Sequence, residues 1–148
     1  MKICVDSGFL IALYDETDEH HEKAESFFIP HFTELGNELL VPWPVLYETV
    51  STRMTRHRRQ MDSLNRDWKY LHSRKQLILL DDKDFRAVAL EECMKEVARP
   101  AQRYRTLSLA DRVIRGMLSD ISIRIDYFIT YNQKDFVDIC RKYRRVMA

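Results

Sequence analysis

Short, nearly unbroken apolar runs alternate along this chain with longer stretches whose apolar positions recur every three or four residues. A brief apolar run bounded by turn residues suits a strand buried on both faces, and the longer period suits an amphipathic helix. The first run predicts a strand at Lys2–Val5, then a helix across Leu10–Leu13 and an amphipathic helix over His21–Phe32. "ELLVP" predicts a second strand ended by turn-forming Pro42, and Pro44 suits the first turn of a helix through Val45–Arg56. A long charged helix over Met61–Ser73 precedes a third strand in "QLILLD", followed by helices over Lys83–Arg99 and Leu109–Ser119. "IDYFIT" predicts a fourth strand and Lys134–Cys140 a closing helix, with a short edge strand in the tail "RRVMA". Strands alternating with helices describe an α/β domain with a mainly parallel sheet of four to five strands.

Composition narrows this picture. A chain of 148 residues, 45% hydrophobic and 32% charged, has enough apolar side chains for one real core and is not disordered as a whole. Three glycines and four prolines leave no flexible linker, so a single domain over 1–148 is expected. Cys4, Cys93 and Cys140 are odd in number and lack C-x-x-C spacing, which points to reduced thiols rather than a disulfide framework or a zinc site. No apolar run approaches the roughly 18 residues of a membrane span and no secretory pattern opens the chain, so a cytoplasmic, membrane-free setting is expected.

The first strand ends on a carboxylate, Asp6, followed by Ser7 and Gly8. A charge at the end of a buried strand needs a hydrogen bond, a cation or a metal. In open parallel sheets ligands bind beyond the carboxyl ends of the strands. Glu48, in the helix after strand two, Asp111, in the first turn of a later helix, and Asn132 and Asp135, after strand four, all fall at that same edge. Acids and amides from several segments suit a hard cation, Mg²⁺ or Mn²⁺. Each position also has a plainer reading. Asp6 suits an Asx turn, Glu48 a solvated helix face opposite Leu46, Val50 and Met54, and Asn132 and Asp135 a turn and a cap. Ser108 and Asp111 spell S-x-x-D, a relative of the capping box.

Taken together, "ICVDSGFLIALYDETDEHHEKA", "VPWPVLYETVSTR", "TLSLADRVIRGML" and "YFITYNQKDF" resemble the successive motifs of PIN domains. Within that family the resemblance is to the VapC-type ribonucleases of bacterial and archaeal toxin–antitoxin pairs. It implies a three-layer α/β/α fold and metal-assisted hydrolysis of RNA phosphodiester bonds, leaving 5′-phosphate and 3′-hydroxyl ends. On this resemblance Asp6, Glu48 and Asp111 are the first, second and third catalytic, metal-binding acids, and Ser7 takes the adjoining hydroxyl position. The fourth, variable position falls on Asn132, with Asp135 three residues on; an amide there offers a neutral oxygen in place of a charge. A small antitoxin protein and a homodimer are further implications.

Charge is unevenly spread although the formal net charge is only +1. "YDETDEHHEKAE" carries six carboxylates, while Thr52 to Lys75 carry eight Lys or Arg against two Asp, interleaved with Trp68 and Tyr70. Cations beside aromatics suit single-stranded nucleic acid, and Arg53 and Arg56, closest in sequence to Glu48, are the candidate RNA contacts. A solvated helix face, with Trp68 in the core, is the plainer alternative. "RKYRR" near the end extends that patch or keeps the tail soluble. His20 and His21 are adjacent on a helix and face different ways, which favours structural roles over a shared metal. Two rival functions remain. A haloacid-dehalogenase phosphatase needs a second Asp where this chain has Gly8, and a catalytically inactive PIN-fold module would grip RNA or protein without cutting.

Overall fold

The computed structural model describes residues 1–97 and 106–148. Five strands, β1 (Lys2–Val5), β2 (Glu38–Pro42), β3 (Leu77–Leu80), β4 (Tyr127–Ile129) and β5 (Val146–Met147), form one sheet in the order β3-β2-β1-β4-β5. Every pairing is parallel. β1 lies at the centre, and its Ile3, Cys4 and Val5 are at most 1% exposed, as a strand covered on both faces requires. The tail strand pairs with β4 through Tyr127 opposite Val146.

The connections are helical. α1 (Ser7–Tyr14), α2 (His21–Phe28), α3 (Trp43–Thr49), α4 (Thr52–Thr55) and α5 (Arg58–Ser73) link β1 to β3. α6 (Arg86–Val97) and α7 (Leu109–Ser119) lead back to β4, and α8 (Val137–Lys142) joins β4 to β5. Right-handed crossovers that step outward from β1 and then return past it put these two groups on opposite faces, giving three layers. Phe9, Phe32, Phe128, Phe136, Leu71 and Ile114 are fully buried between them.

Three predicted helices are broken, each for a local reason. The segment expected as one helix over His21–Phe32 leaves the α-form at Phe28 and continues as a π-helix over Ile29–Glu34. Pro30 has no N–H to donate, and its carbonyl accepts instead from Leu35, five residues on. The helix expected over Val45–Arg56 splits into α3 and α4. Across the join run Thr49, Val50, Ser51 and Thr52, all poor helix formers, and Ser51 is extended (φ −78°, ψ 173°). Lys134–Cys140 becomes a 3₁₀ turn, Gln133–Asp135, followed by α8. Phe136 leaves helical geometry between them to pack edge-on against Phe128, with ring centroids 5.0 Å apart.

Other boundaries shift by a turn or less. α5 begins at Arg58, capped by His57 Nδ1, which accepts from the Gln60 N–H. α6 begins at Arg86 because the Asp81 carboxylate holds the Lys83 N–H in a turn, and the predicted end of this helix at Arg99 lies outside the described residues. Gly116 lets α7 approach the loop before α6, since a Cβ there would meet the Phe85 ring at 3.0 Å. Among the described residues, no helix is long and apolar enough to cross a membrane.

Candidate active site

β1 and β4 lie side by side, and the strand order reverses between them: β2 and β3 extend to one side of β1, β4 and β5 to the other. The carboxyl ends at such a switch point open the crevice where ligands bind in this class of sheet. Asp6 ends β1 there, its N–H donating to the Ile129 carbonyl at 3.0 Å. The residue is 6% exposed. Oδ1 accepts from the Ser7 N–H at 2.7 Å and lies 3.5 Å from Ser7 Oγ, while Oδ2 accepts from Thr130 Oγ at 2.9 Å. Burial pushes the Asp6 carboxyl above its ordinary value. The hydrogen bonds from Thr130 and Ser7 oppose this, and the negative charges of Asp111 and Glu48 push it further up.

Those two negative charges belong to helices on either side of the strand end, α3 and α7. Glu48 is exposed in the second turn of α3. Asp111 is the third residue of α7, where its N–H donates to Ser108 Oγ at 3.0 Å and its Oδ2 accepts from the Ser108 N–H at 3.3 Å. The capping box is therefore present, and it leaves Oδ1 outside the cap. Among the described residues, no three acidic, histidine or cysteine side chains converge closely enough to hold a metal. Like charges repel, and Asp6 and Asp111 each turn toward their own local donors. Carboxylate oxygens are nonetheless the donors that a hard divalent cation takes.

Neither a family model nor a curated protein sequence matches the chain. Solved structures do. The VapC20 toxin of Mycobacterium tuberculosis, described as cleaving the sarcin–ricin loop, superposes with a TM-score of 0.60 at 16% identity, covering 92% of this chain and 94% of that one. A chain of the Rickettsia felis VapBC2 complex, bound to a DNA fragment from its promoter, gives 0.57 at 11% identity, covering 100% and 98%. The chain has the VapC fold.

Around the acids, this VapC fold holds residues that sequence reasoning missed. Thr130 ends β4 as Asp6 ends β1, and its hydroxyl, besides holding Asp6, accepts from the Asn132 N–H at 2.9 Å. Asn132 also donates through its side-chain amide to the buried carboxylate of Asp135. The predicted fourth position is thus two coupled residues linked to Asp6 through Thr130. The sequence marks Thr130 only as the residue after the fourth strand; that this strand lies beside Asp6's strand appears in the fold alone. Arg115, one turn after Asp111, donates to the Asp135 carbonyl at 2.5 Å and to both Asp138 carboxylate oxygens. Arg112 pairs with Glu92 at 3.4 Å and with Glu96, tying α7 to α6.

Arg53 and Arg56 are not drawn to the acids. Arg53 binds Asp15 at 2.9 Å, at the far end of α1, a helix about 12 Å long that starts beside Asp6. Arg56 is exposed just beyond α4. Arg59 binds Glu16 at 3.0 Å, so the acidic and basic blocks of the sequence meet each other here. Trp68 is half-buried against the core, and Tyr70 packs beneath Arg74. His21 Nδ1 bonds the Ala12 carbonyl at 2.7 Å and His20 stacks on Tyr131 at 4.2 Å, so the two histidines serve separate contacts.

Proposed function

We propose that the chain is a divalent-cation-dependent endoribonuclease, acting as the toxin of a toxin–antitoxin pair. The observation that carries this reading is Asp6, buried and held by Ser7 and Thr130 at the carboxyl end of the central strand of a VapC-fold sheet, with Glu48 and Asp111 on the flanking helices α3 and α7. VapC20 is described as a sarcin–ricin-loop-cleaving toxin, which supports an RNA substrate here, and VapBC2 supports an antitoxin partner. A homodimer and a cytoplasmic setting go with the same reading.

Asp6, Asp111 and Glu48 would hold the Mg²⁺ or Mn²⁺ ion. When bound, the cation supplies positive charge that polarises the scissile phosphodiester and offsets charge developing on it. Ser7 and Thr130 fix the Asp6 carboxylate by two donors, so it needs no reorientation during the reaction. Glu48, the exposed acid, orients the attacking water and takes its proton. The Ser108 cap anchors Asp111 at the start of α7. Asn132 and Asp135 complete the edge of the site through Thr130. Arg56, exposed, supplies a contact to the RNA backbone, with Arg53 beside it more weakly engaged because of its pairing with Asp15.

The test is cleavage of a labelled, structured RNA pool by purified protein in Mg²⁺, in Mn²⁺ and in EDTA. Cutting is expected with either metal, absent in EDTA, and reduced at least about 100-fold in Asp6→Asn and Asp111→Asn proteins that fold normally by circular dichroism. Cutting that survives both substitutions would place the activity elsewhere. RNA binding without cutting under any of these conditions would favour the inactive binding module.

A further inference from the structure

Beside the acids, α3, α6 and α7 enclose a groove of about 490 Å³. Pro44, Tyr47, Leu90, Leu109, Ala110 and Val113 line it, and its wall includes Glu48. Apolar side chains on its rim face solvent: Tyr47 is 75% exposed, Leu90 47% and Leu109 46%. Trp43, one helical turn before Tyr47, is 39% exposed, with its ring centroid 6.1 Å away. Asp82 and Arg86 close one edge as an ion pair at 2.9 Å.

We propose that this groove receives a nucleobase of single-stranded RNA next to the scissile phosphate, with Tyr47 and Trp43 as its stacking surface. The inference rests on the nuclease reading and deepens it. Continuity with the proposed reaction centre is the first argument: Glu48 belongs to both, so an occupant of the groove lies against an acid of the proposed site. Size is the second. A concave, largely apolar space of this volume is in the range that takes small ligands. Chemistry is the third. Exposed aromatic rings accept the π-face of any base, and the Asp82–Arg86 pair offers an acceptor and donors to its polar edge.

Trp43 makes the test direct, because the chain has two tryptophans and Trp68→Phe leaves Trp43 as the reporter. Full-length Trp68→Phe protein carrying Asp6→Asn is titrated with an adenylate decamer in Mg²⁺, and with a decamer of abasic ribose phosphates. Cleavage of the RNA pool by the parent protein runs alongside. The adenylate decamer is expected to quench Trp43. Tyr47→Ala weakens its binding roughly tenfold, a loss that one base–aromatic stack supports, and Tyr47→Phe restores it. The abasic decamer binds without quenching.

Equal affinity for the Tyr47→Ala protein with unchanged Trp43 emission would overturn the proposal, as would failure of the decamer to bind while the parent still cuts RNA. Sedimentation provides the rival outcome: a parent dimer dissolved by Tyr47→Ala would assign the groove to a second copy of the chain. Failure of the parent to cut or bind RNA would sink the nuclease reading, and this inference with it.

Discussion

Arg145 illustrates how a single side chain can organise one end of the sheet. Its guanidinium donates to the carbonyls of Leu118 at 3.2 Å and of Asp120, Ile123 and Ile125 at 3.0 Å. The carbonyls of Leu118 and Asp120 are at the C-terminal end of α7, where a cation is also favoured by the helix dipole. Lysine, a point charge with rotating donors, cannot satisfy four such acceptors in a fixed fork. Arg145→Lys is therefore expected to cost about 2–3 kcal/mol in chemical denaturation, and Arg145→Ala at least as much. A loss under about 0.5 kcal/mol would show that water replaces the guanidinium readily. In the sequence Arg145 belongs to "RKYRR", which reads as a basic patch. Its acceptors are 20 to 27 positions away, so nothing local marks it as structural. Asp6 is the reverse case. Its place at the end of an apolar strand was legible, but its hydroxyl partner Thr130 is 124 positions away.

α7 carries the third predicted acid, the 3₁₀ turn before α8 carries the buried Asp135, and an ion pair between Arg115 and Asp138 joins the two helices. Hydrogen bonding to Arg115 lowers the Asp138 carboxyl from its ordinary 3.8 to about 2. A carboxyl lowered in the folded state contributes stability above its unfolded pKa, and loses it as pH falls through the folded value. The contribution of this pair is thus present above about pH 4 and fades toward pH 2. Asp138 is 62% exposed, so solvent screening limits its worth to about 1 kcal/mol or less. Arg115→Met is expected to flatten the fall of Tm between pH 4 and pH 2. Parallel curves for parent and variant would show that other groups drive acid unfolding. The existence and kind of most elements followed from hydrophobic period together with turn and proline positions, and the tail read as a short edge strand is β5. The breaks at Pro30, at Val50–Ser51 and at Phe136 did not, because apolar spacing runs on across each of them. What stops the helix is a missing N–H, a cluster of weak formers, or a ring drawn into the core.

The order of the sheet sets the position of all three acids. Alternating strands and helices made a parallel sheet legible, and the carboxyl-edge rule then gathered Asp6, Glu48 and Asp111 from their places along the chain. Strand order is different: it depends on which apolar faces pack together, and so the contact between β1 and β4 that creates the crevice appears only in the fold. That crevice holds a buried carboxylate, and the neighbouring acids raise its cost further. A group binding the folded chain alone stabilises it by mass action, by about 2.7 kcal/mol when present at 100 times its Kd. Thermal unfolding in Mn²⁺ or Mg²⁺ should therefore give a higher Tm than in EDTA, with the increase growing as cation concentration rises. Asp6→Asn removes the buried charge, so in EDTA it is expected to be at least as stable as the parent, while its gain from the cation shrinks. Asp111→Asn is expected to lose the gain as well, without that compensation in EDTA. An undiminished rise in Tm in the Asp6→Asn/Asp111→Asn double variant would mean that the stabilising cation binds away from the crevice.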